Sequence, residues 1–156
     1  MALAVGNNAP DFKLDGSDGK RHSLREFTGK YLVLYFYPKD ETPGCTVEAT
    51  NFGKAADAMS DKGAVVVGVS RDSVASHKAF IKHLNLNFLL LSDPDANTIK
   101  AYDTYDRSLI SLGLHGTRTL RNTFLIDRSG KIIKMYKKVR PYVHAKEILE
   151  FLEYAK

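Results

Sequence analysis

The longest unbroken apolar stretch is Tyr31-Leu32-Val33-Leu34-Tyr35-Phe36-Tyr37. A run with no polar alternation fits a strand buried on both faces. After it, Phe52, Ala55, Ala56 and Met59 recur at helical spacing until Gly63, a stop signal, and Ala64-Val65-Val66-Val67-Gly68-Val69 is a second buried, β-branched run. Strand, helix and strand of these lengths predict a right-handed crossover with the two strands parallel, the helix spanning about 45–61. Near the end, residues 122–127 and 131–136 flank Arg128-Ser129-Gly130, the clearest hairpin in the chain. Pro141 closes it, and Ile148, Leu149 and Leu152 mark the core face of a last helix over 143–155.

The weaker patterns fill the remainder. Residues 10–14 and 20–23 flank a turn rich in Gly and Asp, predicting a short hairpin laid across the main sheet. Asp72-Ser73 caps a helix that places Val74, His77, Ile81 and Leu84 on one face and closes at Asn85. Phe88-Leu89-Leu90-Leu91 predicts a strand, and Ser92-Asp93-Pro94 opens a helix reaching about Asp103. Residues 104–118 carry no period, since Gly113 and Gly116 interrupt Leu109, Ile110, Leu112 and Leu114, so they are expected to form a loop that covers a site or meets a partner. The expected class is α/β: one domain over residues 1–156, with a central mixed sheet, flanking helices and an N-terminal hairpin, resembling the thioredoxin fold.

Composition narrows the possible functions. A chain of 156 residues can bury a core without metals or disulfides, and its single cysteine, Cys45, excludes an internal disulfide framework and a Cys-rich zinc site. The five histidines have no ligand spacing, so no metal or cofactor is assigned. No apolar segment is long enough to span a membrane, and Met1-Ala2-Leu3-Ala4-Val5 lacks the basic start and full apolar stretch of a signal peptide. The expectation is a cytoplasmic protein with no membrane partner, a monomer or weak homodimer. Residues 115–140 hold eight Lys and Arg against Asp127 alone. Their partial alternation with Ile132, Ile133, Met135 and Tyr136 reads as a strand with one wet face, so no nucleic-acid partner is expected.

The candidate chemistry lies in Tyr37-Pro38-Lys39-Asp40-Glu41-Thr42-Pro43-Gly44-Cys45-Thr46-Val47-Glu48. Cys45 falls where the buried strand gives way to a helix, and a helix N-terminus favours an anion such as a thiolate. Should strand 122–127 run antiparallel beside strand 31–37, Arg121 falls close to Cys45 and supplies a cation with fixed donors. The Thr42 hydroxyl can both accept and donate beside the sulfur, or cap the helix. Glu48 reads as a surface or ion-pair residue of the first helical turn.

Pro38-x-x-x-Thr42-x-x-Cys45 resembles the active-site motif of the peroxiredoxins, and the fuller stretch is similar to their Q or bacterioferritin-comigratory branch. Ala9-Pro10-Asp11-Phe12, Arg121-x-Thr123-Phe124 and Asp127-x-x-Gly130 match in order, so the likeness covers nearly the whole chain. The resemblance implies thiol-dependent reduction of hydrogen peroxide and organic hydroperoxides. It makes Cys45 the peroxidatic residue, gives Thr42 and Arg121 the peroxide, and has Pro38, Pro43 and Gly44 shape the pocket. Many members of this branch carry a resolving cysteine five residues after the first, but here that position is Thr50. The sulfenic acid formed on Cys45 must then meet an external thiol, whether thioredoxin, glutaredoxin with glutathione, or a small dithiol. A thioredoxin-type carrier would need Cys-x-x-Cys, and a cysteine hydrolase a histidine partner. The competing reading is a thiol-binding or chaperone-like module on the same fold, without turnover.

Overall fold

The computed structural model describes residues 3–106 and 118–154. Its strands are β1 (Lys13–Gly16), β2 (Arg21–Ser23), β3 (Tyr31–Phe36), β4 (Ala64–Ser70), β5 (Leu89–Ser92), β6 (Tyr105–Asp106), β7 (Arg118–Thr119), β8 (Thr123–Ile126) and β9 (Ile132–Tyr136). The helices are α1 (Pro43–Asp61), α2 (Val74–Leu84), α3 (Asn97–Ala101) and α4 (His144–Tyr154). Seven strands form one mixed sheet in the order β2-β1-β5-β4-β3-β8-β9, while β6 and β7 pair separately. Strands β3, β4 and β5 are parallel, and β8 runs antiparallel to β3.

Two apolar layers explain why the central runs lack alternation. Val33, Tyr35 and Tyr37 face α1 and α4 with Cys45, Phe52, Met59, Ile148 and Leu152. Leu32, Leu34 and Phe36 face the opposite layer with Phe12, Ile99, Tyr102 and Phe124. Each face of β3 is thus covered, as its sequence predicted.

Three expectations change. The N-terminal hairpin does not lie across the sheet: Asp15 pairs with Ser92, which makes β1 and β2 its edge. The helix predicted from Pro94 begins only at Asn97, because Ala96 is left-handed at φ 60. Asp93 still caps the segment, its Oδ2 accepting from Ile99 N at 2.8 Å. The segment 104–118 is partly ordered pairing, Tyr105 opposite Thr119 and Asp106 opposite Arg118, and the expectation for 107–117 lies outside the described residues. Ser73 caps α2 through Ser76 N, and left-handed Asn85 ends it as the sequence indicated.

Gly68 is a packing requirement that hydrophobic patterning does not reveal. In register it stands between Tyr35 of β3 and Leu90 of β5. A Cβ there would lie 2.7 Å from Leu90 Cδ2 and 2.8 Å from Tyr35 Cζ. Gly68→Val is therefore expected to destabilise the fold by about 1–3 kcal/mol through overpacking. Urea denaturation checks this, and an unchanged midpoint would refute the packing account.

Candidate active site

Strand β3 delivers the chain into the 38–42 turn, and α1 starts immediately after it with Pro43 at its first position, where a missing N–H costs nothing. Thr42 occupies the N-cap position, yet its side chain does not cap: Oγ1 donates to Lys39 O at 2.8 Å. Cys45 is the third residue of α1 and only 1% exposed. It sits among the first, partly unpaired amide groups of the helix, as the sequence required.

Arg121 reaches the same turn from a distant segment. The pairing of Tyr35 with Thr123 and the bond from Phe36 N to Asn122 O bring its backbone beside the end of β3. A Cβ on Gly44 would lie 2.7 Å from Arg121 Nη2 and 3.2 Å from Cζ, so the guanidinium rests on the glycine next to Cys45. This close approach explains Gly44. Pro38 is half-buried and lines a cleft with Arg121, whereas Pro43, expected to shape the pocket, is exposed and does not line that cleft. The structure thus gathers Cys45, Gly44, Arg121 and Pro38 around one helical turn. The Thr42 hydroxyl engages the turn itself.

Glu48, one turn beyond Cys45, was missed as a site component. The ion-pair half of its reading holds and the surface half does not: it is 1% exposed, with Oε1 3.3 Å from Arg121 Nη1. Its Oε2 and the Tyr35 hydroxyl are buried without a hydrogen-bond partner among the described residues. Burial pushes the Glu48 carboxyl up to about 7, outweighing the opposing attraction and hydrogen bond of Arg121. Burial, then the negative charge of Glu48 and Cys45, pushes the Tyr35 hydroxyl well up. The spacing of Glu48, three residues after Cys45, was the available signal.

A second missed cluster fixes the 38–42 turn from behind. Buried Asp40 accepts from Tyr37 OH at 2.5 Å on Oδ1, and its Oδ2 accepts from Ser76 Oγ at 2.8 Å and lies 2.7 Å from His77 Nδ1. His77 Nε2 lies 2.9 Å from Leu91 O, an acceptor only, so that nitrogen carries a proton. Asp40 N donates to Asp72 Oδ2 at 2.8 Å, and Ser70 Oγ donates to the same oxygen at 2.6 Å. Burial, followed by Tyr35 and Asp40, holds the Tyr37 hydroxyl well up, which keeps it a donor. Asp40, Asp72 and His77 have potential ligand atoms within 4.8 Å of one another, but donors already occupy those oxygens. Glu41, left-handed at φ 66, is held by His83 of α2 at 2.7 Å. Helix α2 therefore grips the turn at two successive residues. His144 stands apart from the turn, 2.7 Å from Thr123 Oγ1, and burial lowers it against the opposing pull of Glu147.

A lone cysteine in the first turn of a helix joining two parallel strands, beside a cation from an antiparallel neighbour, is a thioredoxin-fold thiol site. The chain belongs to the AhpC/TSA family, whose model matches residues 5–135. It is 42% identical over 150 residues to a putative peroxiredoxin bcp of Helicobacter pylori, covering 96% of this chain and 98% of that one. It is 40% identical over 153 residues to peroxiredoxin Bcp of Bacillus subtilis, covering 98% and 97%. Among solved structures, a mutant of Xylella fastidiosa PrxQ matches with TM-score 0.91 at 33% identity, covering 99% of this chain and 98% of that one. Xanthomonas campestris peroxiredoxin Q matches with TM-score 0.85 at 36% identity, covering 92% and 90%. The resemblance of the motifs is thus matched by the whole chain, in a form with one cysteine.

The buried Glu48 gives a pH signature. An acid whose value rises on folding stabilises most when protonated; that contribution is complete below its ordinary value of 4.5 and lost as pH rises through about 7. Between about pH 5 and about pH 8 the protein should lose stability relative to Glu48→Gln, by at most ~3 kcal/mol. Denaturation midpoints of both proteins across that range measure it, and parallel profiles would contradict the assignment.

Proposed function

We propose that this peroxiredoxin performs its thiol-dependent peroxidase chemistry at Cys45, with Arg121 and Thr42 as the groups that meet the peroxide. The observation that supports this most is the placement of the Arg121 guanidinium on Gly44, against the turn that holds the only cysteine. The Cys45 thiolate attacks one peroxide oxygen; an S–O bond forms, the O–O bond breaks, and the departing oxygen takes a proton and leaves as water or alcohol. Arg121 offers donors where negative charge develops on that oxygen. Pro38 and Gly44 shape the approach. The thiol-binding or chaperone-like alternative gives no reason for a buried ion pair beside the sulfur.

No second cysteine exists to resolve the sulfenic acid. An external thiol attacks the Cys45 sulfur, releasing water and forming a mixed disulfide; a second thiol then restores Cys45 and leaves as the oxidised disulfide. Because Cys45 is 1% exposed, this step requires the first turn of α1 to open. A thiol that must be regenerated after every turnover suits a reducing compartment, the cytoplasm.

Peroxide consumption with dithiothreitol should be lost in Cys45→Ser, and a Cys45→Ser protein of equal activity removes the reading. Arg121→Ala should slow peroxide attack by ~10²-fold, the cost of removing one preorganised donor. Gly44→Ala displaces only the flexible end of Arg121, so it should lower kcat/KM by roughly tenfold while the melting temperature holds. Stopped-flow oxidation with thermal denaturation separates the two effects.

A further inference from the structure

The basic segment singled out in the sequence is not used by the peroxide chemistry beyond Arg121. Part of it forms the cleft that opens beside the site. Pro38 and Arg121 make one wall, Arg118, Lys138 and Val139 much of the remainder, and the volume is about 290 Å³. Asp106, opposite Arg118 in the β6–β7 pairing, is the acid lining it among the described residues. Three cations against one carboxylate leave the cleft positive, although Arg121 is also paired with Glu48.

The lip is built rather than incidental. Lys138 is left-handed at φ 50, a conformation that costs a residue with a Cβ. Its N–H donates at 3.0 Å to Oδ1 of Asn122, which is 2% exposed, and Asn122 Nδ2 donates at 3.3 Å to buried Thr104 Oγ1. The next residue, Val139, donates its N–H to Arg121 O at 2.8 Å. The backbone that carries Lys138 is therefore bolted to the one that carries Arg121.

We propose that this cleft binds the carboxylate groups of the reducing thiol, so that the external reductant is a small anionic thiol bearing one or two carboxylates. The inference rests on the peroxidase reading above. The peroxide bond needs only its two oxygens beside the sulfur, and a simple alkyl hydroperoxide carries no anion to match these cations, whereas the resolving thiol has no counterpart in the chain and must be supplied from outside. A cleft of about 290 Å³ accommodates a small organic molecule, and its three cations favour one that carries carboxylates. Arg121 lines the cleft and its guanidinium rests on Gly44, so carboxylates held there keep the thiol near the first turn of α1, and each opening of that turn meets a reductant already bound. Complementary charge raises the encounter rate as well.

The test reads the reduction of preformed Cys45 sulfenic acid by mercaptosuccinate, 2-mercaptoethanol and cysteamine, each rate normalised to its thiolate concentration. Mercaptosuccinate should exceed 2-mercaptoethanol by about tenfold or more, with cysteamine slowest, and the gap should shrink as salt screens the cleft. In an Arg118→Gln/Lys138→Asn double variant the ratio should fall towards about one; asparagine tolerates the left-handed backbone, so the lip is retained. Equal normalised rates in the wild type, or a ratio that survives in the variant, overturn the proposal. So does a charge preference seen instead among hydroperoxides in the oxidation step, which would assign the cleft to the peroxide. Binding is read separately with S-methyl-mercaptosuccinate, which cannot react, titrated into Cys45→Ser protein and followed by amide shifts at Arg118, Lys138 and Val139. Saturation that disappears in the variant supports the cleft; a flat titration overturns it. Failure of the peroxidase reading has a different signature: no sulfenic acid forms while the titration still saturates, which removes the reductant role alone.

Discussion

The antiparallel pairing of β8 with β3 is the constraint on which the site depends. Tyr35 opposite Thr123, with the bond from Phe36 N to Asn122 O continuing the ladder, sets Arg121 at the level where β3 becomes the 38–42 turn. A slip of one residue would send every β8 side chain to the other face and carry Arg121 away from Gly44. The register is secured by burial: Thr123, Phe124, Leu125 and Ile126 are all buried, on alternate faces between two apolar layers. The position of one cation is thus determined by the packing of four residues that take no part in its chemistry.

Delivering Arg121 inward has an electrostatic consequence. A guanidinium over the first turn of α1 adds to the positive end of the helix, so positive potential gathers beside Gly44. Glu48 opposes this arrangement from the next turn. One of its oxygens meets Arg121 while the other has no partner among the described residues, and burial pushes the carboxyl up to about 7. The protonation of Glu48 thus changes how much of the Arg121 charge remains available to the turn. A buried pair of this kind is poor evidence for stability, because desolvation offsets the attraction. Its physical effect is to orient the guanidinium and moderate its charge.

What could be read from the sequence divides along the range of the interactions. The two buried runs, the hairpin at 128–130 and the cap and stop of α2 are local signals, and each element formed where its pattern indicated. Arg121 was legible only because an antiparallel neighbour beside β3 could be argued topologically. The features that were missed are non-local. Glu48 reads as a surface or ion-pair residue because a first-turn glutamate usually is one, and only the arrival of Arg121 explains a buried pair there. Asp40 and His77 are 37 positions apart and meet through the packing of α2, which no periodicity announces. The early helix start fails for a related reason: Ser92-Asp93-Pro94 has correct capping chemistry, but Ala96 turns left-handed and Asp93 reaches over it to Ile99.

The network behind the turn and the buried sulfur impose opposite demands. Asp40 is tied to Tyr37, Ser76 and His77, and Glu41 to His83, so α2 holds the turn against the sheet from one side. The first turn of α1 has no such restraint from its own N-cap, because the Thr42 hydroxyl donates back to Lys39 instead of accepting a helical amide. An uncapped start forgoes roughly 1 kcal/mol of helix stability. The weak point therefore falls between a rigid 38–42 turn and the body of α1, at the residues that cover Cys45. A chain with one cysteine needs this placement: the peroxide step requires a fixed pocket, the thiol step requires the sulfur to emerge, and a start that opens while the turn stays anchored permits both.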